Sequence, residues 1–483
     1  MVSPVQQAAV DYIKGKLDSS GWFNTTSHGE MNDVKAKLQS LSATDADAVI
    51  DELQRDGQLD KFASEAVDGD WFGNGGYSAD ERRDLFTDLA KKLDGQSLAA
   101  VSEAFAKTDD GADGHSRVGE LADAVATHAT SYDKVQYVEA MKTRVTDNPD
   151  WTESHVFSTS SHKSDAEAAA VGKVLTSLKG SVYAADGFKA LNSEQLRAVM
   201  SASIDETMTS SMGSPSVGWE AESFTGLMDS AASISDPDLK ARIFDAGADT
   251  LRGVRETNGF AGQPIITGKD EAMKTITDGL TKIIDSDTTG VIRELAYNSE
   301  TIDGSDLGTY SRALMESGQE KKLGEIMAKL QLGNGLNENP AARLDQVTQV
   351  RVANGGSQER RENAGALGYF VGAAYAGAQS WSTDVKKQQE VMTSVLDSAL
   401  TIIDKAKIGG PAANAVGTTA SVAKEWTHYA VRWALEDKGL APAQRLERAA
   451  LPIDKQTNEL AVGDDVRNAF NTSLSTVQRT GKP

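Results

Sequence analysis

The sequence predicts an all-α protein of two or three multi-helix bundles joined by short loops. Three observations carry this. Apolar residues recur near a period of 3.6 along most of the chain. Only 10 prolines in 483 residues leave room for long helices. Ser, Asp and Asn stand just ahead of the apolar runs, where helix N-caps belong.

Taken in order, Leu38, Leu41, Val49, Ile50, Leu53 and Leu59 set the first clear helical stripe. Leu85, Leu89, Leu93, Leu98, Val101 and Phe105 set the next. Ser42 with Asp45 and Ser78 with Glu81 have the spacing of capping boxes. Asn192 or Ser193 starts a helix, and Pro237 after Ser235 and Asp236 sits where a first turn favours proline. Val347–Val352 is the one strand candidate, too isolated to make a sheet. Residues from about Thr472 read as a frayed tail. No strict repeat period is visible. Two polar, turn-rich stretches, Thr146–Asp165 and Gly333–Asn363, divide the chain into an acidic helical domain over 1–160, a middle helical domain over 161–350 and a Gly/Ala-rich helical domain over 351–483.

Charge follows this division. Residues 351–483 hold 16 basic and 14 acidic side chains, leaving 33 basic and 57 acidic in residues 1–350. An acidic front of that size repels nucleic acid and anionic membrane and favours a basic partner. The absence of cysteine excludes disulfides, zinc thiolate sites, iron–sulfur clusters and thiol nucleophiles. Residues 1–23 lack the basic and then apolar order of a secretory signal. The expectation is synthesis in a bacterial cytoplasm and secretion by a signal-peptide-independent route.

From Asn363 to Thr383 there is no charged side chain, and Gly and Ala make up nearly half of the stretch. As a helix it would run roughly 31 Å, enough to cross a bilayer core. Only Leu367, Phe370 and Val371 are strongly lipophilic, too few to favour insertion. Gly368, Gly372 and Gly377 lie on small-residue faces that admit a close neighbour helix. The segment is therefore expected to pack inside the C-terminal bundle or to dock a partner helix. Ile408–Ala423 is a second low-charge run, and the two together are the candidate for a membrane-active hairpin.

Calcium is the one ion the sequence suggests, and no other cofactor is expected. In the twelve residues from Asp109, positions 1, 5, 6 and 12 are Asp109, Asp113, Gly114 and Glu120, as an EF-hand loop needs. Gly111 stands where an oxygen ligand belongs, and Ser116 where an apolar residue belongs. Asp70–Glu81 makes a second partial match, with Asn74, Gly75 and Tyr77 in place and Phe72 at the third position. Gly73–Gly76 reads as a tight turn rather than a phosphate cradle, having neither a preceding strand nor a following Lys. Glu425 and His428 match half of a di-iron signature whose second half is missing, and His28 with Glu30 lacks the cysteines of a deaminase. His155 and His162, with Glu153 and Asp165, are the remaining loop group with metal-binding side chains. No nucleophile stands at a recognisable spacing from a base, so catalytic residues stay unassigned.

Two stretches, Trp71–Phe86 continuing through Leu89, Leu93 and Gly95, and Asn363–Ala373, resemble helical regions of large proteobacterial secreted proteins of the polymorphic-toxin or effector type. The resemblance implies a bacterial origin and a delivery or interaction role. It supplies no catalytic residues, and no toxin module is expected after the second stretch. The expected function is that of a secreted effector, or of the helical carrier region of a toxin-like protein, acting by protein–protein contact. Its partner would be a secretion apparatus, a chaperone or a target protein. Membrane activity through a 363–423 hairpin, and an enzyme of unidentified class, are the alternatives.

Overall fold

A computed structural model describes residues 3–18, 26–67, 76–108, 114–146, 151–155, 158–162, 166–211, 214–256, 265–297, 304–332, 357–405 and 463–480, with Gln444 and Glu447. The protein is all-α in class, and one small sheet interrupts its helices. The chain divides into two compact units. Unit 1 is 1–234 with 257–272, and unit 2 is 235–256 with 273–483. Residue 160 falls within a strand of unit 1, and residue 350 lies outside the described residues.

Unit 1 begins with α1 (Pro4–Leu17), α2 (His28–Ser40), α3 (Ala43–Arg55) and α4 (Gln58–Val67). It continues with α5 (Ala79–Ala90), α6 (Gly95–Lys107), α7 (Gly114–His128) and α8 (Ser131–Met141). After a hairpin come α9 (Ala166–Ser177), α10 (Ala184–Lys189) and α11 (Ser193–Ala202), and after a second hairpin α12 (Glu222–Ala232). Local chemistry sets many of the starts. Ser27, Ser78 and Asn192 cap with reciprocal bonds from Glu30, Glu81 and Gln195. Ser42 caps without the reciprocal backbone bond: its hydroxyl accepts from the Asp45 amide and donates to Asp45 Oδ2 at 2.7 Å, while Asp45 Oδ1 accepts from Gln6 Nε2 at 2.9 Å. A carboxylate one methylene shorter than Glu does not close the box.

The helices stack as successive hairpins. One row runs α5, α7, α9, α12, and a second runs α4, α6, α8, α10. Bonds between neighbouring hairpins recur at similar sequence separations. The Asp94 amide donates to Asp47, 47 residues away; Gln195 donates to the Lys142 carbonyl, 53 away; Ser230 donates to the Leu175 carbonyl, 55 away. The array repeats in space near fifty residues without repeating in sequence. Its core is a line of buried aromatics and aliphatics that includes Phe62, Phe86, Phe105, Tyr137, Phe188 and Phe224.

The stretch Thr146–Asp165, expected as a loop, instead holds β1 (Trp151–His155) and β2 (Ser158–His162). These pair antiparallel with each other, and β2 pairs antiparallel with β3 (Asp205–Ser211). β4 (Ser214–Glu220) follows antiparallel, and β5 (Ile265–Thr267) closes the order β1-β2-β3-β4-β5 in parallel. The hairpins lie in the connections that lead into α9 and α12, two helices of the first row. The strand candidate Val347–Val352 lies outside the described residues.

Unit 2 contains α13 (Pro237–Glu256), α14 (Lys269–Ser286) from Met273 onward, α15 (Thr288–Tyr297), α16 (Ser305–Glu316) and α17 (Lys321–Leu332). It ends with α18 (Ser357–Trp381), α19 (Val385–Lys405) and α20 (Asp464–Thr480). Pro237 is the first helical residue of α13, and Asp236 Oδ1 accepts from the Leu239 amide. The expected frayed tail is corrected. Val466, Phe470, Leu474 and Val477 make an apolar stripe at helical spacing, all of it buried, so α20 runs on past Thr472. Buried Glu447 holds its first turns, accepting from Arg467 Nε at 2.5 Å and Asn471 Nδ2 at 2.7 Å.

Close backbone approach fixes the hairpin stack at one point. A Cβ on Gly95 would lie 2.0 Å from the Asp133 carbonyl oxygen and 2.5 Å from the Tyr137 amide nitrogen. Those are backbone atoms of α8 and cannot rotate aside. Gly95→Ala is therefore expected to destabilise the protein by about 1–3 kcal/mol or more. Gly15→Ala on α1, where a Cβ meets nothing within 4 Å, is expected to stabilise by about 0.5–1 kcal/mol. Urea midpoints of the two variants, moving in opposite directions, check both.

Candidate functional site

The small-residue helix is the first candidate. In α18, Ala364, Ala366, Leu367, Tyr369, Phe370 and Val371 are all buried. A Cβ on Gly368 would lie 2.3 Å from the Phe470 carbonyl oxygen, and one on Gly372 would lie 3.1 Å from Val477 Cβ. On Gly377 it would lie 2.9 Å from the Arg312 amide nitrogen and from the Gly308 carbonyl oxygen. Gly368 and Gly372 thus receive α20, and Gly377 receives α16. Arg312 Nη1 donates to Ser380 Oγ at 2.8 Å and ties the end of α18 to α16. The faces read as able to admit a neighbour helix are filled by this chain's own helices. No helix among the described residues is long and apolar enough to cross a membrane. Ile408–Ala423, the other arm of the expected hairpin, lies outside the described residues.

Alanine at Gly368 would force α20 away along its backbone. Gly368→Ala is expected to cost about 1–3 kcal/mol or more in thermal or urea unfolding. Gly253→Ala, at an exposed position of α13 with open space for a Cβ, is expected to be neutral or stabilising.

The calcium reading concerns unit 1. Asp109 and Asp113 lie outside the described residues, as do Asp70, Phe72, Asn74 and Gly75. Glu120, on α7, accepts from Arg82 Nε at 3.3 Å. Glu81 closes its own capping box, accepting from the Ser78 amide and hydroxyl at 2.9 and 2.7 Å, and meets His28 Nε2 at 2.9 Å. Both glutamates expected at the twelfth loop position are thus engaged by protein donors, with which a cation would compete. Among the described residues no group of three or more His, Asp or Glu is placed to hold a metal ion.

His28 and Glu81 join α2 and α5 at equivalent ends of successive hairpins. Asn32 meets the other ring nitrogen of His28 at 3.2 Å, and the Tyr77 ring stands edge-on with centroids 5.7 Å apart. Tyr77 is buried and its hydroxyl has no partner among the described residues. Burial, with the nearby Glu81 charge second, pushes that hydroxyl well above the ordinary tyrosine range. The group is a structural clasp with a polar rim. It lacks a nucleophile placed against a base.

His155 and His162 were expected in one polar loop with Glu153. The register puts His155 opposite Ser158, beside the hairpin turn, and His162 opposite Trp151, at the open end. Four residues of strand, roughly 13 Å, separate the two positions. Asp165, Glu425 and His428 lie outside the described residues.

Sequence spacing could not indicate the most perturbed group. Asp306 on α16 and Asp245 on α13 are both 5% exposed and hydrogen-bonded to each other. Arg252 is the cation that Asp306 shares with Asp249: its guanidinium donates to Asp306 Oδ1 at 2.7 Å, to Asp249 Oδ1 at 2.6 Å and to Ser305 Oγ at 3.1 Å. Arg255 turns to Glu316 at 3.2 Å and to the Thr309 carbonyl at 3.4 Å. Two carboxyl groups thus share one guanidinium, and a third, Asp245, is hydrogen-bonded to one of them. Burial first, then the hydrogen bond and charge of Asp245 and the charge of Asp249, push Asp306 up to about 9 against the pull of Arg252. A protonated Asp306 can donate to Asp245 while its other oxygen accepts from Arg252.

The folded protein therefore holds this proton more tightly than the unfolded chain, whose carboxyl titrates near 3.8. The contribution is complete below that value and is lost as pH rises toward 9, at no more than about 1.4 kcal/mol per pH unit. Asp306→Asn keeps the shape and removes the titration. Its urea midpoint is expected to fall less than the wild type's between about pH 6 and pH 9. Parallel pH profiles for the two proteins would refute the shared proton.

No family model matches the chain, and no curated protein matches it. One solved structure, described as a circular tandem repeat protein with novel repeat topology and enhanced subunit contact surfaces, aligns over 99% of this chain and 96% of its own at 11% identity. Its TM-score of 0.23 is too slight to bear on the fold.

Proposed function

We propose that the protein is a bacterial secreted effector, or the helical interaction region of one, that works by binding a basic protein partner through unit 1. The stacked hairpin array supports this reading above all. Arrays of this kind expose long continuous surfaces, since each hairpin contacts only its neighbours. Unit 1 contains 21 basic and 40 acidic residues, a net charge of −19, against 28 and 31 in unit 2. A surface so biased steers positively charged partners and repels nucleic acid. Absent cysteine and the resemblance of its helical stretches to exported proteins support the secreted setting.

Membrane activity through the 363–423 segment is the weaker reading. It would require α18 to leave α20 and α16, against which its glycines are closely packed.

Two measurements test the proposal together. Tagged protein produced in a bacterium with intact secretion machinery is expected in the medium. Cross-linking there is expected to trap a protein partner whose binding weakens as salt rises. Retention of all material inside the cell, with a chain that stays uncross-linked at every salt concentration, would reject it.

A further inference from the structure

Two tyrosines and a valine of unit 1 stand together in solvent at the ends of successive hairpins. Tyr132, in the first turn of α8, is 56% exposed; Val182 and Tyr183, in the turn leading to α10, are 88% and 36% exposed. The two tyrosine rings meet edge to face, their centroids 6.3 Å apart and their planes at 67°. Each precedes a buried aromatic by five residues, Tyr137 for Tyr132 and Phe188 for Tyr183. In a helix, five residues turn the chain by roughly 500°, so the two positions point about 140° apart. Anchoring the second ring in the core sends the first one outward. α8 and α10 pack as neighbours, so the same position is used twice, side by side.

Single exposed apolar side chains are ordinary. Here three adjoin, and tyrosine is enriched where protein contacts concentrate their energy. The first turns beside the rings carry Asp133 and exposed Asp186, while Lys134 is buried. On α1, Tyr12 already takes cations, with Lys16 and Lys37 Nζ at 5.7 and 5.8 Å from its ring centroid. Among the described residues no such cation lies over Tyr132 or Tyr183. We propose that Tyr132, Val182 and Tyr183 form a docking surface for a basic segment of a protein partner, seating an arginine or lysine side chain on the paired rings. Acidic first turns supply long-range attraction, and the rings supply a face for the cation once its water is shed. The inference rests on the reading of unit 1 as a binder of basic partners.

The test uses the full chain and two fluorescein-labelled probes, nona-arginine and nona-glutamate, followed by anisotropy at low salt. Wild type is expected to bind nona-arginine and not nona-glutamate. Tyr132→Leu with Tyr183→Leu, which keeps apolar bulk and removes both rings, is expected to weaken binding about five- to thirtyfold. Tyr132→Phe with Tyr183→Phe, which keeps the rings, is expected to stay within about threefold. Both positions are exposed, and unchanged circular dichroism confirms that the variants fold. Equal binding by all three proteins would overturn this surface and leave the basic-partner reading standing. Failure of the wild type to bind nona-arginine would overturn both.

Discussion

Unit 2 depends on the approach of one helix backbone to another. α18 has glycine where α20 and α16 cross it, and at Gly368 the neighbour is a carbonyl oxygen at a distance no Cβ tolerates. Side chains can change rotamer to relieve crowding, but a backbone carbonyl within a helix moves only with the whole helix. The composition of the segment follows from this. Lipophilic bulk is sparse in Asn363–Thr383 because space between the helices is short, and burial comes from many small contacts rather than a few large ones. Gly324 does the same for α17, where a Cβ would lie 2.4 Å from the Val395 carbonyl of α19. Gly304 adds a second constraint. Its φ of 71° is left-handed, and a Cβ there would lie 2.7 Å from Val477 of α20.

The sequence showed clearly what is decided within a turn or two of chain. Ser78 with Glu81 forms the cap that its spacing suggests, Asn192 stands at the start of its helix, and Pro237 opens α13. The buried fate of α18 from Asn363 onward follows from the lack of both charge and strong lipophilicity there. What escaped notice is settled between distant residues. The Ser/Thr/His composition of 158–162 has no alternation of apolar and polar residues. It becomes strand because Ser158–His162 pairs with Thr207–Ser211, some fifty residues on. The Asp306 site is invisible for the same reason: its partners Asp245, Asp249 and Arg252 precede it by more than fifty residues. The terminal stripe of Val466, Phe470, Leu474 and Val477 was legible, and the polar residues between these positions obscured it.

Electrostatics sharpen the contrast between the two units. In unit 2 the notable charges are matched closely, and two of them, Lys329 and Glu447, are buried. Asp285 is bound by Lys322 at 2.8 Å and Lys329 at 2.7 Å, and Glu447 by Arg467. Losing the partner of Lys329 or Glu447 would leave an uncompensated buried charge, so these two groups help define which helices meet. Asp306 shares its countercharge, Arg252, with Asp249, and burial beside Asp245 raises its affinity for a proton.

In unit 1 the scarce cations work differently. Lys16 binds Asp33, Lys35 binds Asp88, Lys61 binds Asp18, Lys173 binds Asp123 and Lys179 binds Asp229, each across a helix boundary. Such exposed pairs contribute little each, about 0–1 kcal/mol, yet they hold the basic side chains against neighbouring helices. With 21 basic residues against 40 acidic ones, and several of those cations committed between helices, unit 1 has carboxylates in surplus. Like charges at that density oppose compaction and favour any basic surface that covers them. The array's cohesion and the proposed attraction for a basic partner would therefore have a common origin, in how unit 1 distributes few cations over its seams.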